Sequence, residues 1–120
     1  MTLALETTTG LKVQLRWAEA WFTVCDLHLM VPGRGVAALL PDGGQVAVFR
    51  DRSDRLYAIG NRDPFTGAAV LSRGLTGTHH SRPFVASPLL KQRFDLETGE
   101  CLDDESVRVP AYEVRCASRV

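Results

Sequence analysis

Apolar residues in this chain come in short runs of valine, alanine, leucine and aromatics, closed repeatedly by glycine, proline, aspartate or serine. No stretch shows the 3.6-residue periodicity of a long amphipathic helix, so the pattern predicts an all-β domain of antiparallel sheets. "AWFTVCDL" reads as one strand. "GVAALL" and "QVAVFR" flank "PDGG", where Asp42 and Gly43 supply hairpin turn chemistry. "RDRSD" is a charged, exposed turn into "RLYAIG", whose alternation sets Leu56, Ala58 and Gly60 on one face and Tyr57 and Ile59 on the other. Further on, "FVAS", "RFDLE" and "ECLDD" read as short strands, the last two bracketing the turn "TG". "VRVPAYEVR" reads as a last edge strand broken at Pro110. "LTGTHHSRP" is polar and reads as a mobile surface loop. "LKVQLRW" is open between an extra strand and a flexible arm.

A chain of 120 residues can bury the core of one domain without metal or disulfide staples. Fourteen basic residues balance fourteen acidic ones, which leaves no overall field to attract nucleic acid or an anionic membrane. Trp17, Trp21 and Tyr112 read as packing residues with nothing basic interleaved, not as a stacking platform. The start, "MTLALETTTG", lacks the features of a secretory signal, and no apolar run approaches a membrane span. A cytoplasmic location is expected. Cys25, Cys101 and Cys116 are odd in number and far apart, with no C-x-x-C pair, so three mostly buried thiols are expected rather than a disulfide framework or a zinc site. His79 and His80, with Arg73 and Arg82 nearby in sequence, read as part of a solvated loop.

Two stretches resist this plain description. In "NRDPFTGAAVLSRG", Pro64 removes a backbone donor and Gly67 permits a positive φ, so the chain turns sharply; "SPLLKQ" interrupts two strands about twenty residues later. Together they resemble the two ligand loops of Rieske-type [2Fe-2S] domains, which read C-P-H-x-G and C-P-x-H-G-x-x-F. In such centres two cysteines hold one iron and two histidines the other. Here Asp63 and Ser87 stand in the cysteine positions and Phe65 and Leu90 in the histidine positions, while Pro64, Gly67, Pro88 and Phe94 keep their places. Aspartate and serine are hard oxygen donors, and phenylalanine and leucine have no lone pair to give. A Rieske-like fold without a cluster is expected, with no catalytic, cofactor or metal residue in this chain.

With "CLDD" and "SVRVPAYEVR", the ligand-less loops resemble the small subunits of bacterial assimilatory NAD(P)H-dependent nitrite reductases, over roughly residues 19 to 115. That resemblance implies a cytoplasmic two-subunit enzyme reducing nitrite to ammonium, whose large subunit carries FAD, a [4Fe-4S] cluster and sirohaem. It implies a Rieske-like domain over 19–117 and an N-terminal extension over 1–18. Asp63 and Ser87 are expected to satisfy loop amides, since neither has a base or acid placed beside it by sequence. Phe65 and Leu90 either fill the volume a cluster would take or stay exposed as an apolar patch, and at least one is expected to touch the large subunit. The competing readings are a stand-alone Rieske-like interaction module and a Rieske-type electron carrier with unusual ligands.

Overall fold

The computed structural model describes residues 10–118. Ten strands follow in order: β1 Leu11–Trp17, β2 Ala20–Asp26, β3 Arg34–Leu39, β4 Gln45–Arg50, β5 Leu56–Gly60, β6 Leu75–His79, β7 Arg82–Ala86, β8 Arg93–Asp95, β9 Ala111–Tyr112 and β10 Val114–Ser118. They form three sheets, ordered β10-β1-β2, β3-β4-β5-β9 and β6-β7-β8, and every pairing is antiparallel. The helical elements among the described residues are two single 3₁₀ turns, Leu27–Leu29 and Leu71–Arg73.

The middle sheet is covered on both faces, which explains why "VAVF" in β4 is apolar without alternation. Val46 and Val48 pack with Val13, Leu15 and Ala58 against the first sheet. Ala47 and Phe49 point the other way, packing with Ile59, Leu71, Val85 and Phe94 against the third. The same division separates Ala58 from Tyr57 and Ile59 in β5, as its alternation predicts. Each such side chain, taken from water, contributes about 1.5–3 kcal/mol for the larger residues. Two separate cores therefore hold three layers together through β4 and β5.

The structure settles one open alternative and revises other expectations. Of the two alternatives for residues 11–17 the strand is the one found: β1 is the central strand of its sheet, with Val13 and Leu15 buried. Residues 1–9 of the expected extension lie outside the described residues. "LTGTHHSRP" is a hairpin, β6 paired to β7 from Leu75↔Ala86 to His79↔Arg82. Its turn residues His80 and Ser81 both take positive φ, +49° and +66°, as the tight mirror-image turns of hairpins require. "ECLDD" forms no full strand; Cys101 makes an isolated bridge to Phe94 and Glu100 one to Arg108.

Pro110 precedes β9, and the change of sheet comes later, at Glu113: β9 finishes the middle sheet beside β5, and β10 crosses to the first sheet beside β1. Gly99, at φ +81°, closes the turn before this crossing, where a Cβ would run into the Val109 carbonyl. Of the three cysteines, Cys101 is buried, Cys25 half-buried and Cys116 exposed, so only one is a core thiol.

Candidate functional site

Both unusual loops spring from one end of the layer between the middle and third sheets. The first leaves β5 at Asn61, which is 1 % exposed. Its amide donates from Nδ2 to Gln45 Oε1 at 3.0 Å, its Oδ1 accepts Ser72 N–H at 2.7 Å, and its carbonyl accepts Leu71 N–H at 3.1 Å. One side chain thus pins where the loop leaves and where it returns. Between these points Asp63 N–H donates to Ala68 O, and Asp63 O accepts Gly67 N–H at 2.7 Å with Gly67 at φ +80°. The second loop closes in the same way. Ser87 N–H donates to Gln92 O at 2.9 Å and Ser87 O accepts Lys91 N–H at 3.1 Å. Lys91 takes φ +70° at the place where the resembling pattern has glycine.

The two loops meet at Asp63 and Ser87, both fully buried. Ser87 Oγ donates to Asp63 Oδ2 at 2.6 Å. The remaining capacity of each is used locally: Asp63 Oδ1 accepts Phe65 N–H at 2.8 Å, and Ser87 Oγ accepts Leu89 N–H at 3.3 Å. A buried carboxylate is costly without such donors. Sequence reasoning anticipated the amide contacts and missed the link between the side chains. The available sign was the parallel placement of the two residues, each directly before a proline in a loop opener.

Phe65 and Leu90 part company. Phe65 is half-buried, its ring tilted against Phe94 with centroids 6.2 Å apart, and it packs on the core between the middle and third sheets. Leu90 is 54 % exposed, and Leu89 beside it is 50 % exposed. The donor set does not fit a [2Fe-2S] cluster. The two oxygen-bearing residues are bonded to each other with no atom between them, and the other two positions offer a phenyl ring in the core and an alkyl chain in solvent. Cys101 is spent in the core, packed with Phe94 and Leu96 and outside both loops.

Beyond the loops the remaining polar groups are mixed in sign. His79 and His80 are exposed with rings 4.1 Å apart. Lost hydration, with His80 and Arg93 nearby, holds His79 below the ordinary histidine range. They line an open cleft with Arg82, Glu100, Asp103 and Asp104. Among the described residues no group of three or more histidine, cysteine, aspartate or glutamate side chains is placed to hold a metal ion. Trp21 corrects the sequence reading, because Arg115 lies over its ring at 4.0 Å and Arg16 at 5.6 Å. Basic groups do accompany it, as stacking cover on a solvent-facing sheet.

The family model for the Rieske-like [2Fe-2S] domain matches residues 20–120. The nitrite reductase (NADH) small subunit of Escherichia coli K12 is 49 % identical over 96 residues, covering 79 % of this chain and 88 % of that protein. The chain belongs to the Rieske-like family, among its nitrite reductase small subunits. The NMR structure of the E. coli protein NirD superposes with a TM-score of 0.71 at 48 % identity, covering 78 % of this chain and 86 % of that one. A Klebsiella oxytoca protein named as a nitrite reductase [NAD(P)H] large subunit is 40 % identical over 98 residues, which are 82 % of this chain and 10 % of that protein. The family model's match takes in both loops and β2 to β10. No helix among the described residues is long and apolar enough to cross a membrane.

Proposed function

We propose that this chain is the small subunit of a cytoplasmic, assimilatory NAD(P)H-dependent nitrite reductase and that it carries no redox centre of its own. FAD, the [4Fe-4S] cluster and sirohaem belong to the large subunit, which reduces nitrite to ammonium. The observation that carries the reading is the 49 % identity to a nitrite reductase small subunit across 88 % of that protein's length. The Asp63–Ser87 bond supports the second half, because it ties the loops together with oxygen chemistry where thiolates would be needed. The Klebsiella protein supports the partnership, since there a segment of this kind shares one polypeptide with a large subunit. Docking of two separate chains would supply by affinity what a covalent link supplies as effective concentration.

In this role the chain acts by shape. It presents a folded surface to the large subunit and contributes assembly, stability or internal geometry of the complex. The test is co-expression of the tagged chain with the large subunit, followed by purification and assay of nitrite-dependent NADH or NADPH oxidation. Joint purification with activity in the complex and none in the small chain alone is expected. A chain that never associates with the large subunit at micromolar concentration would overturn the reading.

A further inference from the structure

Six large apolar side chains among the described residues are strongly exposed: Leu29, Val31, Leu39, Leu75, Leu89 and Leu90. Three of them gather at the end of the molecule where the two loops meet. Leu89 and Leu90 sit on the second loop, and Leu75, 76 % exposed, stands opposite Ala86, the residue that leads into that loop. Leu75 is held there rigidly. Gly74 packs so closely on the third sheet that a Cβ would collide with the Ala86 carbonyl, and Gly74 N–H is bonded to Leu71 O at 3.0 Å. The leucines are therefore displayed by a closed turn and a strand end, not by a floppy segment. Little ordering entropy would be lost if they were covered.

Within the loop segment itself the exposed charges are basic, while Asp42 of the β3–β4 hairpin lines a cleft with Arg62. Between positions 61 and 92 the single acidic residue is Asp63, which is buried and bonded within the loops, while Arg62, Arg73 and Lys91 are exposed. Arg62 is anchored by its guanidinium to Gly67 O at 2.5 Å, which fixes its charge at the loop. Asp103, below the second loop, is tied up by Arg93 at 2.8 Å. An apolar centre with a basic rim is the anatomy of a protein interface rather than of a solvated tip.

We propose that Leu75, Leu89 and Leu90 form the docking surface for the large subunit, seating in an apolar depression of that subunit ringed by carboxylates that meet Arg62, Arg73 and Lys91. This rests on the small-subunit reading above and adds where the partner binds and what its surface must offer. The basic rim selects the large subunit over a second copy of this chain, because two such ends brought face to face would oppose like charges. Phe65 is no part of the surface; its ring serves the core under it.

The experiment uses the purified large subunit and three forms of the full chain: unaltered, Leu89→Asp/Leu90→Asp, and Leu29→Ser/Val31→Ser as a control at another exposed apolar stretch. Binding is measured by calorimetry or surface-immobilised titration, with unfolding midpoints of each form recorded beside it. The expected result is at least about a tenfold loss of affinity for the tip variant, an unchanged midpoint, and a control that binds as the unaltered chain does. Arg73→Glu/Lys91→Glu should slow association and flatten its dependence on salt. A tip variant that binds as tightly as the unaltered chain overturns the docking surface and leaves the subunit reading standing. An unaltered chain that fails to bind overturns that reading and the docking surface with it. Sedimentation of the chain alone decides the remaining occupant: a dimer abolished by Leu89→Asp/Leu90→Asp would show that this end covers a second copy and would overturn the assignment to the large subunit.

Discussion

Asp63 and Ser87 are 24 positions apart in sequence, yet one hydrogen bond between their side chains joins the two loops directly. Removing the hydroxyl leaves a fully buried carboxylate short of a donor. Ser87→Ala should therefore destabilise the fold by about 1–3 kcal/mol, read as a lower denaturant midpoint at unchanged slope. A double-mutant cycle with Asp63→Ala should return a coupling of about 0.5–3 kcal/mol, and additivity would mean that the loops are held by their backbone turns alone. The sequence makes each residue's loop visible, because proline and glycine mark the sharp turns. It hides the pairing, since nothing local says that two polar residues on separate loops face each other across a packed layer. The same limit applies to Phe65 and Leu90. Both are apolar at corresponding loop positions, and only the path of each loop sends one ring onto Phe94 and the other side chain into solvent.

At the level of strands, the hairpin around "PDGG" was readable because its turn chemistry is local: Asp42 Oδ1 accepts Gly44 N–H at 2.8 Å and Gly43 takes φ +90°. β1 is legible only as one of two alternatives: it pairs with β2 next to it in sequence, but its other neighbour, β10, lies at the far end of the chain, with Leu11 opposite Ser118. The β6–β7 hairpin was missed for a different reason. Threonine, histidine and arginine on a solvated edge give no apolar alternation, and its turn uses His80 and Ser81 in place of glycine. If β1 is integral, Leu15→Ala should cost about 2–5 kcal/mol, and a chain starting at residue 19 should lose cooperative unfolding. Retained cooperativity in that truncation would contradict the layered core. β7 and β8 are tied by charge as well. Burial opposes ionisation of Asp95, but the N–H groups of Thr98 and Glu97 and the Arg82 guanidinium, 2.6 Å away, outweigh it and hold its carboxyl below the ordinary range. A depressed folded-state value means that the stabilisation is present above the unfolded-state value and is lost as pH falls through the folded one. Unfolding stability should drop in acid below the usual carboxylate range, and Asp95→Asn should lower stability at neutral pH while flattening that drop. An unchanged acid slope in the variant would assign the effect to other carboxylates.

For the whole molecule, the three layers form a scaffold whose loop end is the part that differs in chemistry from a cluster-holding relative. Two cores, one on each face of β4 and β5, pack apolar side chains behind that end. The family was legible from the loop pattern because proline, glycine and Phe94 are demanded by the backbone turns and the packing beneath them, whatever occupies the ligand positions. The most direct measurement is the iron and acid-labile sulfide content, with the visible absorption spectrum, of the chain purified anaerobically on its own, alongside its unfolding curve. The expected result is a colourless protein with no stoichiometric iron or sulfide that unfolds cooperatively and is indifferent to chelators. A brown, folded protein with two irons and two sulfides per chain, bleached and destabilised when the iron is removed, would contradict the account and make this chain an electron carrier.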